Sequence, residues 1–179
     1  MTVMHSDKKD QDCPPNQNPR CEGIVVQIAE NFDGLDVDVF NLKKLVRTVC
    51  NRFKLSKATV SIAIVDDAEI RKLNKQFLNH NSPTDCLSFD LSDNVNPESK
   101  TENRKSFELV VNGEKAAEEA NLRGHSSEAE LALYITHGLL HNFGFDDSTQ
   151  AQAQKMHAME DKILQQLGYG SVYNRSTGT

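Results

Sequence analysis

Apolar positions along the chain change period several times, and each change marks an element. "GIVVQIAE" (23–30) is short and β-rich, which predicts a first strand. "DVDVFNLKKLVRTVCNRF" then places Phe40, Leu42, Leu45, Val46, Val49 and Phe53 at helical spacing. "ATVSIAIVDD" (58–67) alternates, with Val60, Ile62 and Ile64 on one face, and ends in turn-forming aspartates, as a second strand does. "DAEIRKLNKQFL" (67–78) returns to the helical period through Ile70, Leu73 and Phe77. A third strand starts behind the proline of "SPTDCLSFDL" (82–91), and "FELVVN" (107–112) is a fourth. Between them, "SDNVNPESKTENRKS" (92–106) is polar and apolar-poor, a surface loop.

Beyond the fourth strand the pattern is helical throughout. "GEKAAEEANL" predicts a helix that closes near Gly124. Ser127, with Glu130 three residues on, reads as a capping box for a helix continuing to about Asn142. A last helix, roughly 148 to 167, carries Met156, Met159, Ile163 and Leu167 on one face and stops at Gly168. The expected architecture is one α+β domain over 21–170, a small mixed four-stranded sheet with about five helices segregated around it. The polar first 20 residues read as a disordered tail and 171–179 as a C-terminal tail.

Composition narrows the class. The 179 residues suffice for one real core, and no window approaches the apolar length of a membrane span. The N-terminus has no apolar segment of the kind a secretory signal needs. Cys13, Cys21, Cys50 and Cys86 form no Cys-x-x-Cys pair, so neither a zinc ribbon nor a disulfide framework is expected, and a cytoplasmic setting is. A net charge of −6 argues against nonspecific coating of nucleic acid. Residues 43–75 nevertheless hold nine Lys or Arg against Asp66, Asp67 and Glu69, either a solvated basic face on two helices or a phosphate-binding surface.

The sharpest chemical signal is "ITHGLLHNFGFDDS" (135–148). On a helix, His137 and His141 share one face, one turn apart, with Tyr134 and Glu130 below them. Leu131 to Leu140 is apolar nearly all round, as in a central helix, and buried imidazoles are costly unless partnered. One alternative is two core histidines satisfied by carbonyls or water. The other is a pair of zinc ligands on one helix, with Gly144 reversing the chain so that Asp146 or Asp147 returns as a third. Asp147 could instead cap the last helix, and His157 and His125 are outside candidates. Gly138 occupies the position of the glutamate base in His-Glu-x-x-His, which disfavours a zinc peptidase.

"HGLLHNFGFDD", "LNKQFLNHNSPTDCLSF" and "FELVVNGEKAAEEA" resemble, in order and spacing, three blocks of the YbeY rRNA-maturation ribonucleases. The resemblance covers roughly residues 23 to 170. It implies a metallohydrolase-like α+β fold with the zinc histidines on a central helix, and one zinc per chain on His137, His141 and, at the position of the family's third histidine, Asp147. It further implies a cytoplasmic, single-strand-specific endoribonuclease acting in 16S rRNA 3′-end maturation and late ribosome quality control. The partners it implies are the 16S rRNA precursor and the small ribosomal subunit, with no membrane and no DNA.

This sequence departs from the family at three places. Asp147 stands for the third histidine, Leu78 for an expected arginine, and Phe107-Glu108 for a glycine-acid pair. Leucine cannot hold a phosphate, so Lys75, assisted by Arg71 on the same helix face, is the expected substitute. The rival reading is a non-catalytic, zinc-stapled ribosome-assembly factor that docks on RNA or a ribosomal protein.

Overall fold

The structure, a computed structural model, describes residues 23–92 and 105–172. Four strands form one sheet: β1 (Ile24–Glu30), β2 (Ala58–Val65), β3 (Cys86–Asp90) and β4 (Lys105–Asn112), in the order β1-β2-β4-β3. β1 and β4 both run parallel to β2, with Ile28 opposite Ile62 and Ile62 opposite Leu109. β3 is antiparallel to β4 and forms an edge, with Leu87 opposite Val110. The mixed sheet thus matches the expected class.

Among the described residues, five helices complete the fold: α1 (Val39–Arg52), α2 (Asp67–Leu78), α3 (Gly113–Arg123), α4 (Ser127–Asn142) and α5 (Gln150–Gln166). Period-2 alternation in the strands decides which helix packs where. Val60, Ile62, Ile64, Leu109 and Val111 face a large core with residues of α1, α3, α4 and α5. Val65, Leu87 and Val110 face the other way, against Ile70 of α2. α2 is therefore alone on its side of the sheet among the described helices, and the basic stretch 43–75 divides between two opposite faces.

Helix starts follow capping chemistry. Asp38, Asp66, Asn112, Ser126 and Thr149 each accept a backbone N–H of the first turn. The cap of α4 is Ser126 rather than Ser127, so the expected capping box is absent. Glu130 sits fully buried beside Arg123 and His125 instead of reaching back to the cap. Phe40 also departs from expectation: it is 73% exposed at the start of α1, one residue past the position, 39, that continues the face of Leu42 and Val46. Twelve residues of the polar loop, 93–104, and both tails beyond residues 23 and 172 lie outside the described residues.

Candidate metal centre

α4 is the central helix, with eleven buried residues, among them Leu131, Ile135, Leu139 and Leu140. Its approach to the sheet depends on Gly138, where an added Cβ would lie 2.6 Å from Cys86 Sγ and 2.9 Å from Leu109 Cδ2. A glutamate base cannot stand at that position. Close packing at Gly138 leaves the neighbouring face of α4, with Glu130, Tyr134, His137 and His141, lining an open cavity of about 490 Å³. The remaining walls include Lys115, Glu119 and Arg123 from α3, Cys86 and Ser88 from β3, and Asp85 just before it.

The chain beyond α4 is anchored by aromatic packing. Phe143 stacks on Phe53 with ring centroids 4.5 Å apart and meets Phe107 edge-on at 5.6 Å. Phe107, one of the departures from the family pattern, is thus a core residue beneath the turn. Gly144 adopts the left-handed conformation (φ 87°) and reverses the chain, as its position after the helix predicts. Asp146 is consumed by the turn, accepting from the Asp147 and Ser148 amides, the Ser148 hydroxyl and Gln152. The Ser148 bonds in particular hold its carboxyl below the usual range. Thr149, not Asp147, caps α5. Asp147 is left to return over α4, its Oδ2 3.7 Å from His137 Nε2 and its Oδ1 4.0 Å from His141 Nε2.

The two imidazoles are fixed from behind. His141 Nδ1 lies 3.1 Å from the Phe145 carbonyl, which can only accept, so this nitrogen carries the proton and donates. His137 Nδ1 donates to Glu160 Oε1 at 2.8 Å, and the second oxygen of the same carboxylate lies 2.9 Å from His157 Nδ1. In the neutral tautomers so defined, both Nε2 lone pairs point at each other across 3.1 Å, with the Asp147 carboxylate alongside. Such a cluster of acceptors is repulsive unless a cation sits among them. Burial pulls the His137 pKa down, but the Glu160 hydrogen bond and charge, with Asp85 and Asp147, outweigh it and hold it above the ordinary value, so this ring takes up a proton more readily than a free imidazole. With a metal, His137, His141 and Asp147 offer ligand atoms within 4.8 Å of one another, two nitrogens and a carboxylate oxygen of the kind zinc accepts. The donor set fits the ion.

The other sequence candidates lie elsewhere. His125 pairs with buried Glu130 at 3.0 Å, and His157 lines the cavity through Glu160. Arg71 and Lys75 do not line it; they belong to α2, where Arg71 Nε donates to Asn81. Leu78 is 52% exposed at the end of that helix. Two features escaped the pattern reading. Glu160 is an acid at a helical repeat between Met156 and Ile163, on a buried face where only a partnered carboxylate belongs. Lys115, Glu119 and Arg123 recur every four residues, a stripe legible in the sequence once α3 is known to face α4.

A central helix offering two histidines, a carboxylate returning from the next turn and a second carboxylate behind the first imidazole have the make-up of a metal-dependent hydrolase. The model of the family described as endoribonuclease YbeY matches residues 27–168. An endoribonuclease YbeY of Thermoanaerobacter sp. is 33% identical over 147 residues, covering 75% of this chain and 92% of the relative. That of Carboxydothermus hydrogenoformans is 34% identical over 146 residues, covering 80% and 98%. The solution structure of TM1509 from Thermotoga maritima superposes with a TM-score of 0.52 at 23% identity, covering 79% of this chain and 91% of that one, a likeness of fold. The chain belongs to the endoribonuclease YbeY family.

Proposed function

We propose that this protein is a zinc-dependent endoribonuclease that cuts single-stranded RNA, with the ion held by His137, His141 and Asp147. The carrying observation is the 3.1 Å approach of two Nε2 lone pairs beside a carboxylate, on the wall of an open cavity. A bound zinc would polarise a phosphodiester and lower the pKa of a coordinated water. The protein's part is positional. Glu160 and the Phe145 carbonyl fix both rings in the tautomer that presents Nε2, and the Phe53–Phe143 stack holds the turn that brings Asp147 across. Three protein ligands leave a fourth position for solvent or substrate.

Family membership further supports a role in 16S rRNA 3′-end maturation on the small ribosomal subunit, in the cytoplasm. No described helix is long and apolar enough to cross a membrane. The non-catalytic reading draws on Leu78, whose exposed side chain stands where the family resemblance expects an arginine. A purely structural zinc is a poorer match to a centre on a cavity wall, since structural sites are closed by four protein ligands. Incubating the purified chain with single-stranded RNA separates the two. Cleavage lost on chelation and restored by zinc supports the enzyme, whereas zinc binding with RNA left intact supports the assembly factor.

A further inference from the structure

The stripe of Lys115, Glu119 and Arg123 puts one face of α3 on the cavity that holds the metal-binding residues. Arg123 is already engaged, its guanidinium 3.0 Å from Glu119 and 3.3 Å from buried Glu130. Lys115 is the other cationic side chain on the described cavity wall, and no hydrogen bond or ion pair engages its ammonium among the described residues. Its backbone amide is fixed by the Asn112 cap, which sets the start of the helix and the direction of its side chain.

Register brings Lys115 towards the metal-binding end. α3 and α4 are joined only by residues 124–126, and the Arg123–Glu130 pair closes the hairpin. Two turns back along α3 to Lys115, and seven residues forward along α4 to His137, both cover about 10–12 Å. Lys115 therefore comes roughly level with His137. The same cavity is lined by Asp85, Glu119, Glu130, Asp147 and Glu160, an acidic setting that repels a polyanion unless a cation beyond the metal receives it. Lys75, the cation expected from the sequence for this task, is on α2 across the sheet.

We propose that Lys115 is a phosphate-binding residue of this site, holding a backbone phosphate of single-stranded RNA beside His137, His141 and Asp147. The proposal rests on the reading of the site as an RNA-cleaving centre. A lysine serves as a point charge without the fork of a guanidinium, enough to neutralise one phosphate. The test compares Lys115→Ala, Lys115→Arg and Lys75→Ala in the full zinc-loaded chain, using a fluorescein-labelled single-stranded RNA oligonucleotide.

Lys115→Ala should retain its zinc, lose about tenfold in kcat/KM, and flatten the slope of log binding constant against log salt by about 0.7. Lys115→Arg should restore both, and Lys75→Ala should change neither as much. A merely structural lysine would leave the salt slope alone. Unchanged cleavage and slope in Lys115→Ala overturn the proposal while leaving the enzyme reading intact. If the parent does not cleave RNA, the enzyme reading fails by itself. The salt slope then still decides Lys115, and an unchanged slope or absent RNA binding refutes it.

Discussion

Glu160 holds His137 from the side opposite Asp147, its Oε1 accepting the Nδ1 proton at 2.8 Å while Asp147 Oδ2 approaches Nε2 at 3.7 Å. The ring is thereby oriented by one carboxylate and aimed at another. Glu160 is 1% exposed, and both its oxygens are partnered in the core, Oε1 by His137 and Oε2 by His157 at 2.9 Å. α5 thus supplies the support for a candidate ligand that α4 carries.

The first prediction follows from that sharing. Glutamine at position 160 keeps the shape but has one acceptor oxygen for two imidazole donors. Glu160→Gln should weaken zinc binding roughly 10–100-fold, with helix content by circular dichroism unchanged. Parental zinc affinity in a competition titration would mean that Glu160 packs α5 against α4 without orienting the ligand.

Asp147 offers a cleaner test than its position in the sequence promised. Because Thr149 caps α5, removing the Asp147 charge leaves the helix start intact. Asp147→Asn should therefore lower zinc affinity markedly while the melting temperature of the zinc-free protein stays close to the parent's. A zinc affinity equal to the parent's would remove Asp147 from the ligand set.

The elements were legible because local rules and tertiary packing agree. Alternation marked β2, and its Ile62 and Ile64 do face the core; the His137–His141 face was readable from the four-residue step alone. What escaped depended on contacts between segments far apart in the chain. Glu160 acquires its role from a helix 23 residues earlier, and Lys115 gains a cavity only because α3 folds back on α4. The split of the basic stretch was hidden for the same reason, since which face a helix takes is decided by the strand residues it meets. The spacing rule favoured Ser127, three residues before Glu130, but Arg123 and His125 hold Glu130 in the core and the cap falls to Ser126.

Gly138 yields a prediction about stability. Nothing in its backbone conformation demands glycine; the demand comes from Cys86 and Leu109, which an added methyl would strike. Overpacking at so close a contact costs about 1–3 kcal/mol. Gly138→Ala should lower the denaturant midpoint accordingly, with loosened zinc binding as α4 shifts from β3. A midpoint equal to the parent's would mean that the sheet yields without cost.

The last prediction concerns metal and fold together. A ligand that binds only the folded state raises stability by mass action, by about 2.7 kcal/mol at a hundredfold excess over its Kd. Here zinc would also occupy the cluster of acceptors made by the two Nε2 atoms 3.1 Å apart and the Asp147 carboxylate beside them. Zinc should accordingly raise the melting temperature of the parent by several degrees, and chelation should reverse the rise. His141→Ala removes one nitrogen of that pair together with its tie to the Phe145 carbonyl, so the variant should bind little zinc and show little zinc-dependent shift. Its zinc-free form loses the tie to the Phe145 carbonyl and the Nε2 contact with His137, so its own melting temperature should fall slightly, and the zinc-dependent shift is the readout. An undiminished zinc shift in His141→Ala would move the ion away from α4, and with it the basis for assigning the reaction to this cavity.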